Sequence, residues 1–209
     1  MEQAGPVKER VVMQAELEAD EKVRRHGKRL YAGELLTGVE MTWLLHELDR
    51  PLDTNLANYV LSALAASKMQ GAEDMLAKLV ATSPFLDVAA HALRELCGMG
   101  LSKKYRSHIV QMLQCPLLSV EEANIRESVL VCIGYFLRDH KDKEFADILR
   151  QLILQGAAPR PAAIDDAGLG IVVRLSAVLA VGGDTGRSSE DSAYEDEQIA
   201  RFLSERELG

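Results

Sequence analysis

The chain has 209 residues, 47% hydrophobic and 27% charged, with a mean hydropathy of -0.05, a balance that excludes disordered, collagen-like and membrane chains. That length allows one ordinary domain or two small ones, with roughly 70% of the unfolded surface buried and no need of a disulfide or metal staple. A formal net charge of -8 and a pI near 5.2 argue against coating nucleic acid or an anionic membrane, because phosphate binding draws on clustered Lys and Arg.

Residues 1 to 34 carry seven acids and seven bases, with few bulky apolar residues beyond Val11, Val12, Met13, Leu17, Val23 and Leu30, and read as a charged helix or arm. The opening Met-Glu-Gln-Ala-Gly-Pro has no basic segment leading into an apolar one, so no secretory signal is expected. Residues 35 to 183 form the body, with seventeen acids and fourteen bases and nearly all of the strong helical periodicity. Helices are predicted over about 35–48, 54–67, 71–82, 85–98, 102–114, 120–139, 142–155 and 163–182, and no period-two stretch argues for a strand. Between them fall Asp49-Arg-Pro51, Asp53, Gly71, Ser83-Pro84, Gly98-Met-Gly100, Ser102, Cys115-Pro116, Ser119 with Glu122 as a capping box, and Pro159-Arg-Pro161. The apolar run from Leu169 to Gly183 is broken by Arg174 and falls short of the roughly 20 residues a membrane span needs. From 184 to 209 there are eight acids and three bases, predicting an acidic linker and one short C-terminal helix around Ile199 to Leu203.

All-α is therefore the predicted class, as a helical-repeat solenoid or a globular helical bundle. Internal similarity favours the solenoid. Leu56-Ala-Asn-Tyr-Val-Leu-Ser-Ala-Leu-Ala, Val88-Ala-Ala-His-Ala-Leu-Arg-Glu-Leu-Cys and Ile125-Arg-Glu-Ser-Val-Leu-Val-Cys-Ile-Gly keep the same apolar columns without a gap. Leu64, Leu96 and Ile133 are equivalent, spaced by 32 and 37 residues, and a looser fourth copy runs from Val172 to Asp184. This pattern resembles the HEAT-repeat family over roughly residues 53 to 183. The resemblance is carried by Ile125, Arg126, Val129, Leu130, Cys132, Ile133 and Gly134 in one copy and by Asp87, Val88, Ala92, Leu93, Leu96 and Gly100 in another. The family's arginine column holds Ala57 and Ala89 in two copies, and the last repeat is stretched. What the resemblance implies is a short stack of antiparallel helix pairs that binds another protein, with no particular reaction.

Residues able to carry chemistry have structural explanations. On helix 85–98, Leu86, Ala89, Leu93, Leu96 and Cys97 share one face, and Asp87, His91, Arg94 and Glu95 the other, so His91 and Glu95 read as an exposed polar pair lacking the rest of a metal ligand set. His108 lies with Lys104 and Gln111 opposite Tyr105, Ile109, Met112 and Leu113, without an evident general-base partner. His46 and His140 fall at helix ends, where imidazole suits the negative end of the dipole. The three cysteines, Cys97, Cys115 and Cys132, have no CxxC spacing, which predicts a reducing cytoplasmic setting and neither disulfide framework nor zinc site; Cys132 sits in a broad apolar arc and is expected buried and inert. Gly182-Gly-Asp-Thr-Gly-Arg-Ser fails the phosphate-loop pattern.

The expectation is a cytoplasmic, non-enzymatic module without cofactor or metal that binds a protein, one of basic character given the acidic surface. Inhibitor or immunity-type proteins and adaptors or chaperones fit this description. The recognition surface is expected on the polar faces of the second helices, at Lys104, His108, Gln111, Asp147 and Gln151. The alternatives are a HEAT-like nucleic-acid-handling or repair factor, disfavoured by mixed charges on those helices, and a structural subunit that oligomerises through Trp43 and the N-terminal arm.

Overall fold

A computed structural model describes residues 5–50, 52–67, 69–114, 123–156 and 201. Among them the regular elements are eight helices and no strand: α1 Gly5–Tyr31, α2 Gly38–Glu47, α3 Thr54–Ala66, α4 Ala72–Thr82, α5 Leu86–Leu96, α6 Arg106–Leu113, α7 Ala123–Asp139 and α8 Lys143–Gly156. The expected helix at 163–182, the fourth repeat copy, the acidic linker, Cys115 and the Ser119–Glu122 box lie outside the described residues, as does the expected terminal helix apart from the helical Arg201. The chain divides into two compact units, Met1–Ala92 and Leu93–Gly209, with the division inside α5.

In the first unit α1 packs on α3 and on α2, and α3 also packs on α4. Residues 1 to 34, expected as a charged helix or arm, thus hold a helix whose C-terminal half is part of a core: Val23, His26 and Leu30 are buried, one turn apart on a single stripe. Also buried in this unit are Leu44 and Leu48 from the α2 region, Val60, Leu61 and Leu64 from α3, and Leu76 from α4. Close approach of α1 and α3 depends on Gly27, where a Cβ would stand 2.5 Å from Tyr59 Cε1. The Tyr59 ring cannot swing away freely, because Tyr31 packs on it at 5.1 Å between centroids. Gly27→Ala is therefore expected to lower stability by about 1–2 kcal/mol despite alanine's better helix propensity. Gly98→Ala is the control: its Cβ would meet Tyr135 at an ordinary 3.6 Å, so paired urea melts should show it neutral or stabilising by up to about 1 kcal/mol.

α2 begins later than the periodicity suggests because Thr37 and Glu40 close a capping box. The Thr37 side chain accepts from the Glu40 N–H at 3.2 Å, and the Thr37 N–H donates to Glu40 Oε2 at 2.8 Å. Asp53 caps α3 by accepting from the Leu56 N–H at 3.1 Å, as its position in the sequence predicts. α5 overturns the expected exposed His91–Glu95 pair, since His91 is only 7% exposed with Nε2 3.4 Å from Ser62 Oγ. Val88, Ala89, Ala90 and Ala92 beside it in the chain are buried too, while Asp87, Arg94 and Glu95 on the same face are half-buried, so this polar face is covered over its middle and does not lie open to water.

In the second unit α7 is central: α6, α8 and the turn Cys97–Leu101 all pack on it. Val129, Leu130, Val131, Cys132, Ile133, Phe136 and Leu137 are buried, matching the broad apolar arc of the sequence. Gly100, at φ 85°, supplies the left-handed residue that ends the helix line after α5. The backbone therefore passes through turns at 102–105, and α6 starts at Arg106 instead of at 102.

Candidate functional site

Of the five residues expected to form a recognition surface, all lie in the second unit, on or beside α6 and α8, the two helices flanking α7. Lys104 and Gln111 are exposed, whereas His108 and Asp147 are half-buried. Gln151 falls on α8, but its side chain is outside the described residues. Beneath them Tyr105, Ile109 and Met112 are buried, so α6 keeps its fold-holding and solvent-facing residues on opposite sides. The Lys104 ammonium stands 5.4 Å from the Tyr105 ring centroid, and the His108 ring tilts against the same tyrosine at 5.7 Å. His108 Nδ1 is enclosed and, among the described residues, has no hydrogen-bond partner.

Sequence reasoning missed the ion-pair group that joins the starts of α6 and α8. Arg106 donates from Nε to Asp142 Oδ2 at 2.6 Å and from an Nη to Glu144 Oε2 at 2.8 Å. Its guanidinium also covers the Phe145 ring at 4.8 Å. Burial opposes ionisation of Asp142, but the hydrogen bonds from Arg106 and from the Phe145 N–H outweigh it and hold the carboxyl below the usual range. The two acids hold Arg106 in place, so its charge serves the fold.

The first unit holds a second cluster, which likewise escaped sequence reading. Trp43 is half-buried, its ring covered by the Lys22 ammonium at 3.8 Å and met edge-on by His26 at 5.4 Å, so the indole expected to serve oligomerisation is packed against α1. Arg29 bridges Glu34 at 3.0 Å and Glu40 at 2.6 Å. The Thr37 N–H, Arg29 and the Thr37 hydroxyl together hold the Glu40 carboxyl down at about 2. The first unit also leaves large apolar side chains in water: Val39 is 81% and Leu35 71% exposed, and on α1 Met13 and Leu17 are each 58% exposed.

Cys97 and Cys132 are both buried and free. Burial, with Cys97 beside it, pushes the Cys132 thiol well up, which leaves it inert as a nucleophile. Among the described residues no group of three or more His, Cys, Asp and Glu is placed to hold a metal ion, and no helix is long and apolar enough to cross a membrane. Comparison with family models, characterised proteins and solved structures yields no match.

Proposed function

We propose that the chain is a HEAT-like helical-repeat module that works by binding another protein, as an inhibitor of the immunity type or as an adaptor or chaperone. The observation that carries this reading is the exposure of Leu35, Val39, Met13 and Leu17. Large apolar side chains held in water on α1, on α2 and in the segment between them mark surfaces that protein partners cover. The burial of Leu64, Leu96 and Ile133 is what the repeat columns require and supports the solenoid. The net charge of -8 favours a basic partner through faster encounter, with Lys104, His108, Gln111, Asp147 and Gln151 as the polar recognition face in the second unit.

The test is capture of partners from the native source followed by binding kinetics at two ionic strengths for the wild type, Val39→Glu and Lys104→Glu. Both variants should keep the melting temperature within about 2 °C, since single surface changes stay near ±0.5 kcal/mol. Val39→Glu is expected to weaken binding at least tenfold, and Lys104→Glu to change mainly the association rate and its salt dependence. Unchanged kinetics in both variants would remove these surfaces from the reading.

A self-associating role is favoured by one specific observation: residues 13 to 18 of α1 are exposed on every side of the helix, ahead of the half that is packed. Concentration-dependent sedimentation that Leu17→Glu abolishes would support it.

A further inference from the structure

His26 is 4% exposed, and among the described residues neither of its ring nitrogens has a hydrogen-bond partner. A buried polar group left in this condition costs free energy that a core residue of the same shape, such as Phe, would not incur. The cost is smallest while the ring is neutral. Its surroundings are arranged against a proton. From its own helix face Lys22, Arg25 and Arg29, all cations; from α2 faces Glu40, a carboxylate acting on it in the opposite sense. Both Glu40 oxygens are already engaged, Oε1 by Arg29 and Oε2 by the Thr37 N–H and hydroxyl. Further along the same two helices Asp20 and Glu47 are taken by Arg50, and α3 contributes the phenol of Tyr59, packed against the neighbouring Gly27.

We propose that His26 is an acid-sensitive latch: as a neutral ring it seals α1 onto α2, and its protonation releases that contact. An imidazolium at this place would add a fourth cation to Lys22, Arg25 and Arg29 with no free acceptor, and it can be solvated only if α1 lifts from Trp43. Burial already depresses the ring's affinity for protons below the ordinary histidine value, the three cations reinforcing and Glu40 opposing the effect. The sign follows from linkage. A group whose folded value is lowered leaves the open form to bind the proton first, so stability is complete above the open-state value of about 6.5 and falls as pH drops below it. The opening equilibrium of α1 then rises by up to about tenfold per pH unit until the folded ring itself titrates.

Trp43 is the single tryptophan and touches the ring, so it reports the latch directly. Acrylamide quenching of Trp43 emission in the full chain, titrated from pH 8 to 5, should increase through a one-proton transition with its midpoint below 6.5. His26→Phe keeps the edge-on ring contact and should remove the transition. Arg25→Gln, at an exposed position, keeps the histidine and should move the midpoint up toward 6.5. A flat wild-type profile, a midpoint at or above 6.5, or a transition that survives in His26→Phe would overturn the proposal. If His26→Phe does not fold, the direction of the Arg25→Gln shift decides: upward supports the latch, and no movement or a downward one refutes it.

Discussion

Phe145→Ala should destabilise the protein by about 3–5 kcal/mol, the range for deleting a fully buried aromatic ring. Phe145 has no exposed surface and meets Phe136 edge-on with 5.1 Å between centroids and an interplanar angle of 88°, while the Arg106 guanidinium covers it. The substitution thus opens a cavity between α7 and α8, removes an aromatic pair worth about 0.5–1.5 kcal/mol beyond its area, and leaves Arg106 without the ring on which it rests. Ile133→Ala and Leu96→Ala, both at fully buried positions, should cost about 2–5 kcal/mol. Urea melts at constant m-value would measure all three. A loss below about 1 kcal/mol for Phe145→Ala would show that α8 is not anchored through this ring.

Helix identity was legible because the second unit has one dominant buried helix and the first has strong caps. The periodicity predicts 54–67, and α3 is Thr54–Ala66; it predicts 142–155, and α8 is Lys143–Gly156. Where boundaries moved, a local backbone device explains it, namely the Thr37–Glu40 box before α2 and the left-handed Gly100 ahead of α6. His91 was misread because a wheel assigns polar residues to solvent, which holds only for a helix buried on one side. The Val23, His26, Leu30 stripe was readable from its spacing, but the charges interleaved on α1 hid it. Candidate-site geometry was less accessible still. Arg106 finds its carboxylates 36 and 38 positions away, and Arg50 finds Asp20 30 positions away. No periodicity or spacing rule couples charges at such separations, since only the packing of the helices brings them together.

Arg50→Ala has the largest expected effect in the first unit, about 1–3 kcal/mol. Arg50 follows α2 and donates to Asp20 of α1 at 2.5 Å and to Glu47 of α2, so one guanidinium ties the end of α2 back to the middle of α1. The two acids differ in how well they tolerate its loss. Asp20 keeps a third of its side-chain exposure and can be rehydrated, but Glu47 keeps only 11%. Removing the arginine leaves Glu47 as a nearly buried charge without its cation, and that uncompensated charge dominates the cost. The figure stays below the 3–5 kcal/mol of a fully buried pair because the Arg50 side chain is itself 26% exposed, so water already screens part of the interaction. Neutralising Glu47 in Arg50→Ala/Glu47→Gln should recover a good part of the loss, whereas Arg50→Ala/Asp20→Asn should recover little. Equal recovery in the two double variants, read from denaturant melts as a double-mutant cycle, would place the cost in lost arginine packing instead of in the stranded carboxylate.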